Sequence, residues 1–277
     1  MMKACVMGWP IAHSLSPALH GYWLKAHGIA GEYTRLAVQP EALPAALARL
    51  KTDDWRGCNL TIPHKEAALA QLDRIDAAAR RIGAVNTVAV ENGKLAGFNT
   101  DGFGFLENLR AAVPDFDVKA GPAVVLGAGG AARAIVDALI EAGTTEIRIV
   151  NRSIMRAKKL GEDLARENPI WIPTAWEERD AVLEGAALLV NATSLGMTGS
   201  PPLELDLARL PKTAVVNDIV YAPLETALLK AAKARGNRIV DGLGMLLHQG
   251  RPGFQLWFGV MPAVTPALRQ AVLAAMR

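Results

Sequence analysis

The chain has 277 residues, of which 51% are hydrophobic, and this length favours two domains with separate cores. Charged residues make up 21% with a formal net charge of +3 and no Lys/Arg block, which argues against nucleic acid as a partner. No apolar stretch suits a membrane span, and no secretory signal is recognisable. The only cysteines are Cys5 and Cys58, which is typical of a reducing compartment. We therefore predict a cytoplasmic protein without membrane contact.

The first hundred residues alternate short apolar runs with helical patterns, which is typical of an α/β domain. The predicted strands are 3–7, 33–38, 58–62, 84–90 and 95–98, and the predicted helices are 17–26, 41–50 and one from residue 64 onward. Asn92-Gly93 predicts a tight hairpin between the last two strands. Ser16 precedes Pro17 and is predicted to cap the first helix.

A predicted helix over 101–111 and a linker over 113–122 lead to a second alternating region. Its predicted strands are 123–126, 146–150, 188–191 and 214–217, and its predicted helices are 131–142 and 154–166. This pattern predicts a doubly wound, Rossmann-type domain. The tail over 242–277 has a mostly helical pattern, which Pro252 is predicted to kink or interrupt.

A glycine-rich turn follows the predicted strand that ends at Leu126 and has the pattern Gly-x-Gly-x-x-Ala. Gly127 and Gly129 allow the backbone to approach a pyrophosphate, which then lies at the positive end of a helix dipole. About twenty residues further on, an NAD site would place Asp or Glu, whereas Asn151-Arg152-Ser153 offers hydrogen-bond donors and a cation. The sequence therefore predicts NADP as the cofactor.

Polar residues cluster at the predicted strand-to-helix junctions of the first domain, where open α/β sheets bind their ligands. The clusters are 13–17, 59–65, 83–87 and 99–102. Taken one at a time, helix capping, turn chemistry or a solvated surface lysine explains each of them. We interpret His13, His20 and His27 as solvated or capping residues, and no metal site is predicted.

Taken together, the order and content of these clusters resemble the shikimate dehydrogenase family over nearly the whole chain. The matching segments are 8–17, 59–65, 83–87, 99–102, 127–133, 151–156, 191–194, 218–221 and 241–249. The resemblance implies reversible NADPH-dependent reduction of 3-dehydroshikimate to shikimate, a step of aromatic amino-acid biosynthesis. It also implies a substrate-binding domain over 1–103, completed by helices over 243–277, and a Rossmann NADP-binding domain over 104–242. The sequence departs from the family at Trp9, where relatives usually have a small or polar residue, and in Gly-Arg-Pro-Gly after Gln249.

By this resemblance, Ser14 and Ser16 bind the substrate carboxylate. The ring hydroxyls are expected to bind neutral groups, namely Thr61, Asn86, Tyr221 and Gln249. Lys65 and Asp101 are expected to bind the substrate at the reacting oxygen and to form the catalytic pair. An ammonium group can stabilise a developing alkoxide and donate a proton, and the sequence leaves open which of the two is the main role of Lys65.

The resemblance also assigns the cofactor site. The pyrophosphate turn consists of Gly127, Ala128, Gly129, Gly130 and Ala131. Arg152 and Arg156, flanked by Asn151 and Ser153, are expected to bind the 2′-phosphate, because guanidinium groups form charge-assisted bonds to phosphate. Ile219 and Gly242 are expected to line the nicotinamide end.

Three other functions compete with this interpretation. A quinate/shikimate dehydrogenase that accepts NAD is disfavoured by Ser14 and Arg152, and an NADP-binding sensor without turnover is disfavoured by the presence of both Lys65 and Asp101. A methylene-tetrahydrofolate dehydrogenase does not suit the paired serines. The expected partner is the small-molecule substrate, with no nucleic acid and no membrane, and a homodimer is allowed by the sequence without being predicted from it.

Overall fold

The structure is a computed structural model that describes residues 1–52, 54–164 and 170–276. The chain forms two compact units, one of Met1–Thr100 with Leu247–Arg277 and the other of Asp101–Leu246. The predicted divisions, after residues 103 and 242, lie near these. Among the described residues, no helix is long and apolar enough to cross a membrane.

The first unit contains a mixed sheet. Its strands are β1 (Met2–Gly8), β2 (Gly31–Ala37), β3 (Trp55–Leu60), β4 (Arg74–Ile75), β5 (Thr87–Glu91) and β6 (Lys94–Phe98), in the order β2-β1-β3-β5-β6-β4. β1 pairs in parallel with β2 and β3, whereas β5 is antiparallel to β3 and β6. The α-helices between these strands are α1 (Ser16–Ala26), α2 (Leu43–Arg49), α3 (His64–Ala67) and α4 (Ala77–Ile82).

The second unit contains a parallel sheet. Its strands are β7 (Ala123–Leu126), β8 (Glu146–Asn151), β9 (Ile170–Ala175), β10 (Leu188–Asn191), β11 (Val215–Asp218) and β12 (Arg238–Val240), in the order β12-β11-β10-β7-β8-β9. Its helices are α5 (Asp101–Ala112), α6 (Gly130–Glu141), α7 (Ile154–Leu164) and α8 (Ala227–Ala234). The last two residues of the predicted helix 154–166 lie outside the described residues.

The parallel sheet is buried on both faces. Along β7, Ala123 and Val125 pack in one hydrophobic cluster, and Val124 and Leu126 pack in another. This alternation explains why the strands are continuous apolar runs in the sequence. From β7 the chain adds β8 and β9 on one side of the sheet and then β10, β11 and β12 on the other, as in a doubly wound sheet. In such sheets, ligands bind beyond the carboxyl ends of the strands at the point where the order reverses. The predicted α/β class with a Rossmann-type domain is confirmed.

The chain returns to the first unit through α9 (Gly242–Phe258), which is followed by α10 (Pro266–Ala274) packed on α1. The predicted interruption at Pro252 is wrong, because α9 runs through this residue. Proline removes one helix hydrogen bond, but the buried aromatic side chains Phe254 and Trp257 dock the helix on the first unit. Trp257 Nε1 donates a hydrogen bond to Val88 O at 2.9 Å, which anchors the helix to β5.

Candidate active site

The loop that carries Ser14 and Ser16 leads from β1 into α1. The backbone N–H of Ser14 donates to Ile11 O at 3.1 Å, and the N–H of Ser16 donates to Ser14 Oγ at 3.3 Å. Ser16 is buried and is the first residue of α1, preceded by Leu15. The prediction that Ser16 caps the helix is therefore wrong, because Leu15 occupies the N-cap position and Ser16 already belongs to the first turn.

At the start of α1, the N–H of Ser16 is bonded to Ser14 Oγ and Pro17 has no N–H, so the serine hydroxyls are the main donors that this end offers to a ligand. The N-cap residue is Leu15, whose apolar side chain accepts no hydrogen bond from the helix. Helix N-termini and serine hydroxyls both donate to carboxylates, and the helix dipole adds favourable electrostatics. The loop is thus suited to bind an anion.

Thr61 and Lys65 follow β3, and the backbone holds both in place. Thr61 N donates to Met7 O at 3.0 Å, and His64 N donates to Thr61 O at 2.8 Å at the start of α3. Val85 N donates to Lys65 O at 2.8 Å, which ties α3 to the segment before β5. Lys65 is half-buried, so it is not the fully solvated surface charge that its position near a helix start suggests on its own.

The Asn86 side chain is buried and has one defined orientation. The backbone N–H of Thr100, which can only donate, lies 2.9 Å from Asn86 Oδ1, and the hydroxyl of Thr87 donates to the same oxygen at 3.0 Å. Asn86 Nδ2 therefore faces the other way, donating to Thr100 Oγ1 at 3.0 Å and to Gln249 Oε1 at 3.3 Å. This contact joins two predicted site residues that are 163 positions apart.

Thr100 links the same two residues a second time. Its hydroxyl donates to the backbone oxygen of Gln249 at 2.9 Å, so it holds the α9 backbone at the residue whose amide meets Asn86. The sequence placed Thr100 in a polar cluster but assigned it no role. The signal was its position directly before Asp101 and the helix α5.

A second layer of buried polar groups lies behind Asn86. Tyr33 donates its hydroxyl to Asn59 Oδ1 at 2.6 Å, and Asn59 Nδ2 donates to Asn86 O and to Thr87 Oγ1, both at 3.1 Å. Burial raises the pKa of Tyr33 well above its ordinary value, so the phenol remains a donor at neutral pH. This network was not predicted, because its members lie on three separate strands or strand ends.

His20 packs against this network instead of facing solvent. Its ring stacks on that of Tyr33 with 4.1 Å between centroids, and its side chain is 0% exposed. Burial lowers the pKa of His20 to about 3, and the nearby Asn59 opposes this shift only in part. The prediction that His20 is solvated or capping is wrong, because it lies on the face of α1 that packs on the sheet.

In the second unit, Gly127 follows β7 with φ of 111°, a conformation that favours glycine. A Cβ atom at Gly127 would lie 3.1 Å from Ala192 O, whereas one at Gly129 or Gly130 would meet no atom within 4 Å. The backbone N–H groups at the start of α6 are therefore open to a ligand, and the arrangement fits a dinucleotide pyrophosphate.

The residues after β8 present two exposed guanidinium groups. Arg152 and Arg156 lie about one helical turn apart at the start of α7, and both are exposed. Asn151 Nδ2 donates to Ser153 O at 3.0 Å, which shapes this turn. The donor set is cationic and contains no carboxylate over 151–153, so it fits a phosphate better than a ribose hydroxyl.

Asp218 holds the loop that carries Ile219 and Tyr221. Its buried carboxylate accepts hydrogen bonds from Asn191 Nδ2 at 2.9 Å, from Val220 N at 3.0 Å and from Thr226 Oγ1 at 2.7 Å. Burial raises the pKa of Asp218 despite these three donors. Asp218 lies in one of the segments that match the family, and no role was predicted for it.

Three further predicted residues lie in the second unit. Asp101 is the buried first residue of α5, and Tyr221 is half-buried, with its pKa raised by burial so that the hydroxyl stays protonated. Gly242 begins α9, and a Cβ atom there would overlap the carbonyl group of Ile219. Gly242 thus allows the start of α9 to approach the backbone of Ile219, which is predicted to line the nicotinamide end of the cofactor site.

Comparison with known proteins agrees with both units. Residues 6–88 match the family model of the shikimate dehydrogenase substrate binding domain. Residues 110–196 match that of shikimate / quinate 5-dehydrogenase, and residues 242–273 match that of the shikimate 5'-dehydrogenase C-terminal domain.

Relatives match along almost the full chain. A protein from Rhodospirillum rubrum named Shikimate dehydrogenase (NADP(+)) is 60% identical over 272 residues, covering 98% of this chain and 96% of its own. A protein of the same name from Paramagnetospirillum magneticum is 56% identical over 272 residues and covers 98% of each chain. The crystal structure of shikimate 5-dehydrogenase from Thermus thermophilus in complex with NADP(H) and shikimate is 43% identical, with a TM-score of 0.87 and coverage of 99% of this chain and 100% of that one. The resemblance stated from the sequence is confirmed, and the chain belongs to the shikimate dehydrogenase family.

Proposed function

We propose that this protein is an NADP-dependent shikimate dehydrogenase that reversibly reduces 3-dehydroshikimate to shikimate in aromatic amino-acid biosynthesis. The observation that carries the proposal is the contact between the oriented amides of Asn86 and Gln249, in the same unit as Ser14 and Ser16. Neutral donors and acceptors for hydroxyl groups, together with donors for a carboxylate, are what a cyclic polyol acid requires. The curated relatives named above carry the same activity and cofactor in their names.

In this proposal, Ser14 and Ser16 bind the carboxylate together with the N-terminus of α1. Thr61, Asn86 and Gln249 bind ring hydroxyls in the first unit, and Tyr221 contributes its protonated hydroxyl from the second. The substrate is thereby oriented by many weak contacts, none of which needs a metal ligand. Orientation of this kind supplies a large part of the rate enhancement in two-substrate reactions.

When bound, reduced NADP supplies the hydride that carbonyl reduction requires. The protein must supply a proton to the oxygen and stabilise the negative charge that develops there. We assign this task to Lys65, whose backbone is held by α3 and by Val85. Asp101, the first residue of α5, is assigned to the same oxygen and to the neighbouring hydroxyl.

The assigned cofactor residues are those of the second unit. The turn from Gly127 to Ala131 would bind the pyrophosphate at the start of α6, and Arg152 and Arg156 would bind the 2′-phosphate with Asn151 and Ser153. Ile219 and Gly242 would lie at the nicotinamide end. Cytoplasmic localisation remains part of the proposal, and both cysteines are free thiols, as a reducing compartment requires.

The decisive experiment follows nicotinamide absorbance during oxidation of shikimate and of quinate, each with NADP⁺ and with NAD⁺. We expect the largest kcat/KM for shikimate with NADP⁺. Absence of turnover with every pair would favour the NADP-binding sensor. Comparable rates with quinate and NAD⁺ would favour a quinate/shikimate dehydrogenase that accepts NAD.

Lys65→Ala tests the assignment of the proton donor. We expect kcat to fall by about a hundredfold to ten-thousandfold, as for loss of a general acid, with a much smaller change in the Kd for shikimate. Lys51→Ala, which changes an exposed lysine of the same unit, serves as the matched control. Equal losses in turnover and in affinity would instead make Lys65 a substrate anchor.

A further inference from the structure

We propose that Arg35 is a positioning residue for the substrate carboxylate, which it serves through Ser14. Nothing in the sequence pattern singles out this arginine, and the matched segments do not include it. The inference rests on the proposed function of Ser14 and Ser16. It adds to that function a side chain that holds the carboxylate loop in shape and places a positive charge beside it.

The geometry is a two-point clamp on one backbone oxygen. Arg35 Nε donates to Ser14 O at 3.0 Å, and Arg35 Nη2 donates to the same oxygen at 2.6 Å. Arg35 lies on β2, paired with Val6 of β1, while Ser14 lies 21 positions earlier in the chain. Two donors from one rigid, planar group fix the direction of the carbonyl better than one flexible donor does.

The clamp is transmitted to both serines. With its carbonyl held by Arg35 and its N–H bonded to Ile11 O, Ser14 is fixed on both sides of its Cα atom. The Ser14 hydroxyl then accepts the N–H of Ser16 at 3.3 Å, which sets the approach of the chain to α1. Loss of the clamp would release a loop that has no regular secondary structure between β1 and α1.

The charge of Arg35 is not neutralised by a carboxylate. Over the described ranges 1–52, 54–164 and 170–276, no Asp or Glu side chain forms an ion pair with it, and Arg35 is exposed. Among the described residues its hydrogen-bond partner is the neutral carbonyl of Ser14, so its full positive charge lies beside the residue that carries the Ser14 hydroxyl. This charge adds to that of the helix N-terminus, which is favourable for an anionic ligand.

The variant Arg35→Met removes the clamp and the charge, while Arg35→Lys keeps only the charge. We expect Arg35→Met to raise the KM for shikimate about tenfold, with kcat and the KM for NADP⁺ changed by less than about twofold. Arg35→Lys should recover part of this affinity. Arg49→Met, which changes an exposed arginine at the end of α2, is the control and should leave all three constants unchanged.

Two further measurements separate positioning from a merely structural role. The effect of Arg35→Met should shrink with the methyl ester of shikimate, which lacks the negative charge. It should also shrink near 1 M salt, where the screening length is about 3 Å. An equal effect on acid and ester, an unchanged KM for shikimate, or a parallel loss of kcat and NADP⁺ affinity would each overturn the inference. Failure of the wild-type protein to oxidise shikimate would instead overturn the proposed function.

Discussion

The direction of the Asn86 amide decides which atoms the first unit offers to a ligand. A backbone N–H fixes Oδ1 on one side, so Nδ2 has to point toward Gln249. Thr100 contributes both that N–H and a hydroxyl that contacts Asn86 and the α9 backbone. A single threonine therefore holds the side chain of Asn86 and the backbone of Gln249, which are distant in sequence, in a fixed arrangement.

Thr100→Val retains the shape and the backbone N–H but removes the hydroxyl. We expect the KM for shikimate to rise about tenfold, because Asn86 Nδ2 and Gln249 O each lose a buried partner. Steady-state kinetics measures the change, and Thr100→Ser, which restores the hydroxyl, should recover most of the affinity. A valine variant with the wild-type KM would show that the hydroxyl does not position these amides.

The neutral His20 ring makes the stability of the protein sensitive to acid. The pKa of His20 is about 3 in the folded protein against an ordinary value of 6.5, so the unfolded chain binds the proton more tightly. The stability linked to the neutral ring is thus complete above pH 6.5 and is lost as the pH falls toward 3. From about pH 7 to about pH 5 the loss amounts to about 2 kcal/mol.

His20→Phe tests this linkage, because phenylalanine keeps the ring stacking without a titratable group. Urea denaturation at both pH values should show about 2 kcal/mol less acid-dependent loss in this variant than in the wild type. His27→Gln, which changes an exposed histidine one residue beyond α1, is the control. Equal acid-dependent losses in the wild type and His20→Phe would contradict the prediction.

Among the secondary structure elements, α9 shows how packing compensates for an unfavourable residue. The helix contains Pro252, yet it carries Gln249 to Asn86 and ends in a buried aromatic cluster. The hydrogen bond from Trp257 to Val88 O ties its last turns to β5. Tertiary packing of one face, more than helix propensity, stabilises such an element.

Trp257→Phe removes this hydrogen bond and leaves a void where the indole was. We expect the free energy of unfolding to fall by about 2–3 kcal/mol, since Val88 O loses its buried donor. Trp9→Phe is the matched control, because Trp9 is 45% exposed, and its effect should stay within about 0.5 kcal/mol. Chemical denaturation of both variants measures the difference, and equal effects would refute the anchoring role.

For the molecule as a whole, the groups assigned to substrate and cofactor are divided between two compact units. Ser14 and Ser16 belong to the first unit, and Gly127 and Arg152 belong to the second. Each unit has its own sheet and its own hydrophobic clusters. A defect at the cofactor residues should therefore leave binding of the carboxylate loop to its ligand in place.

Arg152→Asp tests this independence. The ratio of kcat/KM for NADP⁺ to that for NAD⁺ should fall at least about tenfold, because a carboxylate repels the 2′-phosphate. In hydrogen exchange, NADP⁺ should protect the turn at 127–131 in the wild type but not in this variant, whereas shikimate should protect residues 14–17 in both. An unchanged cofactor ratio would reject Arg152 as the phosphate ligand.

The sequence by itself determined the features that depend on short segments. Alternating apolar runs and helical patterns predicted both α/β units, and the spacing of Gly127 and Gly129 predicted the turn before α6. These signals are local, because backbone geometry sets the period of a strand or helix and the residue types a tight turn accepts. The matching segments were sufficient to identify the family.

Tertiary structure alone decided the contacts between distant segments. The clamp of Arg35 on Ser14, the pairing of Asn86 with Gln249 and the burial of His20 all depend on how strands and helices meet. The predicted cap at Ser16 was wrong, because a cap depends on the residue at which the first helical turn begins. The predicted interruption at Pro252 was wrong, because a proline is tolerated where tertiary packing holds the helix. Such outcomes reflect the free energy of the whole packed chain, which no single stretch of residues encodes.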